Sequence, residues 1–158
     1  MKPLRDVKLR PDRVKFLKAR GHLFYKSLTR KRNPSLMEQL ALKVMEHGGV
    51  AFIVPTMEPD VEVVIRRGEL FDGKNRRLVK GKPCQCHTNS AWYWSDHDDK
   101  VQLVTGYALS EDGVWRSHSW CVEINSSKIV ETTTGRALYF GVRFTADEAE
   151  TFLFAQTA

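Results

Sequence analysis

The sequence is poor in cysteine, with three thiols that cannot all pair with one another. Nothing in it marks an exported chain, so a disulfide framework is not expected and at least one thiol should be free. Cys84 and Cys86 are separated by a single residue, which is not the CxxC spacing of redox enzymes. Long apolar runs are missing too: the longest, Gly48 to Pro55, is strand-sized, against the roughly 20 residues a membrane span requires. The opening Met1, Lys2, Pro3, Leu4, Arg5 develops no apolar core of a secretory signal. A cytoplasmic protein without membrane contact is the expectation. There is no internal repeat and no low-complexity tract, which sets aside solenoids and linker-like chains.

A chain of 158 residues suits a single domain spanning 1–158, since about 70% of the chain's surface is buried at that size. Its composition, 42% hydrophobic and 28% charged, is that of a globular protein. The net charge of +6 is unevenly spread. Residues 1–32 hold twelve Lys or Arg against two Asp, so the arm carries +10 and the remainder −4. Such an arm is suited to an acidic partner or to nucleic acid, or to docking on the acidic body of the protein itself.

After Pro11, the residues Val14, Leu17, Gly21, Phe24 and Leu28 recur at spacings of three and four, predicting a helix in that arm. Asn33 and Pro34 read as N-cap and first residue of a second helix running through Leu36, Leu40, Leu42 and Val44 to a stop near Gly48 and Gly49. Val50–Val54 and Val61–Ile65 then read as short strands, followed by a charged connection through Gly73, Lys74 and Asn75. Small and polar residues precede three aromatics between Cys86 and Trp94, the pattern of a short helix driven into a core. Four strands are expected at Val101–Leu109, Val114–Ile124, Lys128–Thr133 and Ala137–Phe144, and their short connections predict an antiparallel meander. Thr145 to Glu148 form a capping box ahead of a last helix through Phe152 and Phe154. The fold class is α+β, with N-terminal helices and a cysteine-bearing central helix packed on an antiparallel sheet.

Three residues of this pattern can carry chemistry. A nucleophilic thiol must be partly ionised, and Cys86 stands at the head of a helix, where unpaired N–H groups favour the thiolate. On the strand after Val114, residue alternation puts His118 on the face of Val114, Trp120 and Val122, the core side. On the next strand Glu131 shares the inward face with Ile129. A carboxylate there needs a partner, and a neighbouring histidine provides one. The acid would hold the imidazole in the tautomer that accepts a thiol proton. An ion pair that merely orders the sheet accounts for His118 and Glu131 but leaves Cys86 without a role. Trp120, two residues beyond His118, is placed to shield the pair from water.

Cysteine at the head of a helix, His-x-Trp on a strand, then an acidic residue followed by threonine on the next strand resembles the transglutaminase-like branch of the papain-like superfamily. The matching residues are Cys86, His118 with Trp120, and Glu131 with Thr132 and Thr133, and the resemblance covers residues 83–144. Glu131 stands where transglutaminases usually have aspartate. The resemblance implies a Cys86, His118, Glu131 triad acting on an amide or acyl bond of a peptide or protein, as a peptidase, deamidase, transglutaminase or acyltransferase, with no cofactor. It also implies side-chain donors for an oxyanion, for which Asn89 and, second, Gln85 are the candidates. Some members of such a superfamily are inert scaffolds.

Two readings of other kinds compete. Cys84, Cys86, His87, His97, His118 and Cys121 are enough soft ligands for zinc, but they lack paired CxxC or HxxxH spacing, and His118 and Cys121 face opposite sides of a strand. No metal is therefore expected. A nucleic-acid-binding protein led by the arm lacks any recognised module signature.

Overall fold

Helix α1 (Leu36–Met45) begins two residues later than Asn33 and Pro34 suggest, because Ser35 makes the better cap. Its hydroxyl accepts from the Glu38 N–H, and the Glu38 carboxylate accepts from the Ser35 N–H at 2.8 Å, closing a capping box. The computed structural model describes Arg30, residues 32–53 and residues 61–158. The arm helix expected over Val14–Leu28, the rest of the basic segment 1–32 and the end of the Val50–Val54 strand lie outside the described residues.

That strand is reduced to β1 (Ala51–Phe52), which runs parallel to the first residues of β5. Val61–Ile65 is not a strand but part of helix α2 (Val61–Arg67). Its buried residues, Val61 and Val64, are three apart, and Glu62 and the pair Arg66 and Arg67 sit at the ends the helix dipole favours. Packing of that face against α1 overrides the β preference of its valines. The charged connection at Gly73–Asn75 separates two strands the residue pattern does not announce, β2 (Glu69–Asp72) and β3 (Arg76–Leu78). Helix α3 (Cys86–Asp96) follows, then β4 (Val101–Leu109), β5 (Val114–Glu123), β6 (Ile129–Glu131), β7 (Leu138–Arg143) and helix α4 (Ala146–Thr157), which starts in the expected Thr145 to Glu148 capping box.

These elements form a mixed α+β structure. The sheet order is β2-β7-β4-β5-β6-β3, with β1 added against β5. Strands β4, β5 and β6 do form an antiparallel meander, but β7 lies beside β4 and not beside β6, and β1 and β3 pair in parallel. The sheet is therefore mixed. Residues 132–137 join β6 to β7 across two intervening strands, and the sheet curls toward itself as a half-barrel. The Tyr139 hydroxyl near the start of β7 donates to Glu131 at the end of β6 over 2.8 Å. That bond bridges the curl from inside.

Alternation divides the core in two. Leu103, Tyr107, Trp115, Cys121, Phe140 and Val142 face the helices and pack with Leu40, Val44, Val64 and Trp94. Phe71, Val104, Ala108, Trp120, Val122, Ile129 and Tyr139 fill the curl. His118 and Glu131 belong to this second face by strand alternation, and both are buried. Opposite His118 the register places Gly106 on β4 and then Gly141 on β7. A Cβ on Gly141 would lie 2.5 Å from the Thr105 carbonyl oxygen and 2.7 Å from Cη2 of Trp120, so the glycine leaves space for both the neighbouring strand and the indole.

Among the described residues no helix is long and apolar enough to cross a membrane.

Gly141→Ala is expected to displace Trp120 and to cost about 1–3 kcal/mol, the usual penalty of overpacking. The measurement is a urea titration, in which the midpoint should fall at unchanged slope. An unchanged midpoint would show that the indole has room to spare.

Candidate active site

The ladder between β5 and β6 pairs only Cys121 and Val122 with Val130 and Ile129. Among the described residues no strand is laddered to 117–119 of β5 on that side, and the first turns of α3 lie against them. The Ser90 hydroxyl donates to the Ser119 carbonyl at 3.0 Å and lies 3.5 Å from the Thr132 hydroxyl, while the Cys121 thiol donates to the Ser90 carbonyl at 3.4 Å. Small residues at the head of the helix make this close approach possible: Ser90 and Ala91 are fully buried.

The N-terminus of α3 differs from those of α1 and α4. They carry complete capping boxes with acidic residues in the first turn; α3 has Gln85 as N-cap with no side-chain cap, and no acidic residue in its first turn. Its N–H groups and partial positive charge are thus not answered by a cap, and the side chain that begins the helix is Cys86. The chain enters through Cys84, whose φ of 59° is left-handed, a conformation uncommon outside glycine. Asn89 ties this entry down. Its Nδ2 donates to the Lys82 carbonyl at 2.8 Å and its Oδ1 accepts from the Lys82 N–H at 3.2 Å. Gly81 has to be glycine here, since a Cβ would meet Asn89 Nδ2 and the Thr132 carbonyl.

From this position Cys86 lies beside His118, and each side chain shifts the titration of the other. His118 Nε2 meets Glu131 Oε2 at 2.8 Å, with both side chains buried. With Nε2 held by the acid, Nδ1 is the ring nitrogen that serves the thiol. Glu131 is satisfied at every side: Oε2 also accepts from the Tyr139 hydroxyl, and Oε1 accepts from the N–H and the hydroxyl of Thr133, each at 2.9 Å. Trp120 stacks on His118 at a centroid distance of 6.1 Å and an angle of 19°, and is itself fully buried. It covers the imidazole as its position two residues along the strand suggests.

The electrostatics follow from these contacts. Burial pushes the Cys86 thiol up, but the hydrogen bonds and charges of His118 and His87 outweigh it and bring the thiol down to about 5. Burial pulls the His118 imidazole down, and the bonds to Cys86 and Glu131 reverse this and raise it to about 9. Glu131, pushed up by burial, is returned below its ordinary value chiefly by His118. Between those two values the favoured form is a thiolate beside an imidazolium, titrating as one coupled unit. Cys121 is the opposite case, its thiol raised by burial without such partners. Cys84 is exposed.

Of the six side chains singled out in the sequence, Cys86, His118, Glu131 and Trp120 converge. Asn89 lies on the same helix, but both ends of its carboxamide are taken by Lys82, and Gln85 is exposed at the cap. From the sequence, His87 enters only as a zinc candidate and Thr133 only as part of the family pattern; His87 also acts on the Cys86 thiol, and Thr133 completes the bonding of Glu131 together with Tyr139, to which the sequence does not point. The role of Thr133 could be read as that of a hydroxyl two residues from a buried acid. Tyr139 could not, because its place depends on the curl. Among the described residues no group of three or more His, Cys, Asp or Glu side chains is placed to hold a metal ion. Compared with known proteins, the chain matches no family model, no curated protein and no solved structure.

Glu131→Gln tests the bonding scheme. Glutamine replaces one acceptor oxygen by an NH2 group, so whichever way it turns it faces donors, His118 and Tyr139 or the two of Thr133. The expected outcome is a loss of about 1–3 kcal/mol from buried groups left unpaired, read by denaturant unfolding, together with slower alkylation of Cys86. A variant as stable as the parent would contradict the four-donor arrangement.

Proposed function

We propose that this protein is a thiol-dependent enzyme of the papain-like, transglutaminase-like kind, acting on an amide or acyl bond of a peptide or protein through Cys86, His118 and Glu131. The observation that carries the reading is the buried His118–Glu131 bond set beside Cys86, whose thiol it lowers, at a helix terminus that has no other cap. An ion pair that served only the sheet would need neither the thiol nor the bare helix end.

In this reading the Cys86 thiolate attacks the carbonyl carbon, forming a C–S bond while the carbonyl oxygen takes the negative charge. The His118 imidazolium then gives its proton to the leaving amine as the C–N bond breaks, which leaves a thioester on Cys86 and a neutral imidazole. Water or an acceptor amine, losing its proton to that imidazole, attacks the thioester and restores the thiol pair. Glu131 stays ionised throughout, holding the ring in position and stabilising its charged form. Hydrolysis, deamidation and acyl transfer differ only in the groups that leave and enter.

Two measurements on the purified protein test this. Iodoacetamide near neutral pH should modify Cys86 well ahead of Cys84 and Cys121, as peptide mapping would show. With p-nitrophenyl acetate, the protein should release a burst of nitrophenolate equal to the amount of Cys86. Cys86→Ser should abolish the burst, and His118→Gln should slow it by about 10²–10⁴-fold, the usual worth of a general acid–base group. Equal modification of all three thiols, or a burst surviving in Cys86→Ser, would sink the proposal.

A further inference from the structure

The proposed chemistry develops negative charge on a carbonyl oxygen, and of the two amide side chains nearest Cys86 in sequence Asn89 is tied to Lys82 at both ends of its carboxamide and Gln85 stands exposed at the cap. Another side chain is placed there. His87 follows Cys86 on the first turn of α3, half-buried, and lies near enough to the Cys86 side chain to help lower its thiol. Where His118 approaches from the curled face of β5, His87 lies against the opposite face. Its Nδ1 is 2.6 Å from the hydroxyl of Ser119, and Ser119 is in turn 3.0 Å from the hydroxyl of Thr105, its partner across the β4–β5 ladder, while Nε2 has only the longer contact of 3.5 Å to the Ser117 hydroxyl. Ser119 and Thr105 are buried. Phe152 of α4 presents itself edge-on to the imidazole at a centroid distance of 6.1 Å. The ring is therefore held at Nδ1 by a buried hydroxyl that is itself anchored by a second, and edge-on by an aromatic, a level of fixing that a solvent-facing histidine does not require, and the long Ser117 contact leaves the Nε2 side the one able to turn to another acceptor.

We infer that His87 is the side-chain donor of the oxyanion site: with Ser119 donating to Nδ1, the ring is held as the tautomer that carries its proton on Nε2, and that N–H bonds the carbonyl oxygen of a group being transferred to Cys86. The inference rests on the function proposed above. The geometry follows from what acylation does to sulfur. In the resting site the thiolate is an acceptor for the neighbouring N–H; once the C–S bond forms, sulfur no longer carries the charge, which has moved to an oxygen two bonds away. A donor already within reach of the thiolate needs only a small shift to follow it, so little reorganisation is required at the moment of reaction. The backbone N–H groups at the bare terminus of α3 complete the site. His87 donates a hydrogen bond and transfers no proton; His118 alone exchanges protons with the substrate. The two imidazoles beside one sulfur thus have separate work.

Alkylation and acylation of the same thiol separate this role from a merely structural one. Iodoacetamide forms a C–S bond and expels iodide without any oxyanion; p-nitrophenyl acetate passes through one before expelling nitrophenolate. Each variant is measured on its own pH plateau, where the thiolate is fully formed. His87→Leu should lower the acylation rate by about 10²–10³-fold, the effect of removing one oxyanion donor, while plateau alkylation stays within about threefold. His87→Gln, which keeps a side-chain N–H, should recover at least part of that loss. Ser119→Ala, which leaves the ring in place but frees its tautomer, should lower acylation without lowering alkylation, and it carries the test should His87→Leu fail to fold. Acylation unchanged in these variants, or acylation and alkylation falling together, overturns the inference while leaving the proposed function intact. No burst in the parent protein overturns both.

Discussion

One buried carboxylate holds this structure together. Glu131 is fully enclosed within an apolar layer, where an unpaired charge would be far too costly to persist. It remains ionised because four donors converge on its two oxygens, one from β5, one from β7 and two from the segment just after β6. Those donors come from strands that the sheet order separates, so the bonding requires the curl and the curl is tied by the bonding. Tyr139 extends the arrangement, because its hydroxyl also accepts from the Arg136 N–H and so fixes the chain that crosses from β6 to β7. A buried pair of this kind contributes little net stability compared with well-packed apolar groups. Its significance is conformational, since it sets which nitrogen of His118 faces the helix.

The second constraint is the short ladder of β6. Had β6 paired along the whole of β5, its backbone would occupy the place where α3 begins. The β6 ladder ends at Cys121, and beside Ser119 the small residues Ser90 and Ala91 let a helix terminus approach β5 closely. A helix seated at the edge of a strand reaches both faces of it. Consecutive residues then meet different partners, Cys86 the imidazole inside the curl and His87 the hydroxyl of Ser119 on the helix side. The missing cap of α3 is the third part of the same arrangement, leaving its N–H groups to whatever charge develops at the sulfur.

How far this was legible in the sequence depended on the range of the interaction concerned. Period-two alternation over Val101–Leu109 and Val114–Glu123 is a local property, and it correctly placed His118, Trp120 and Glu131 on the inward face. The cysteine helix and the Thr145 capping box were likewise readable, since their signals lie within a few residues. Val61–Arg67 misled because three valines and an isoleucine suit a strand, and only contact with α1 makes the helix the better outcome. The position of β7 beside β4 was hidden, as short connections favour neighbours and give no account of a sheet that closes on itself. Asn89 was misread for a related reason: a carboxamide one turn into a helix reads as free until the entering loop is seen folded back on it.

The central claim is that this architecture keeps Cys86 as a thiolate at neutral pH, and the most direct measurement is the ultraviolet absorbance of that thiolate. The difference spectrum between the protein and Cys86→Ser, followed through an acid titration, isolates one sulfur among three. The account requires a thiolate signal that is already present at neutral pH and disappears as the pH falls through about 5, and that shifts upward in His118→Gln. A signal that emerges only as the pH rises toward the ordinary thiol value of about 8.5, alike with and without His118, would contradict it.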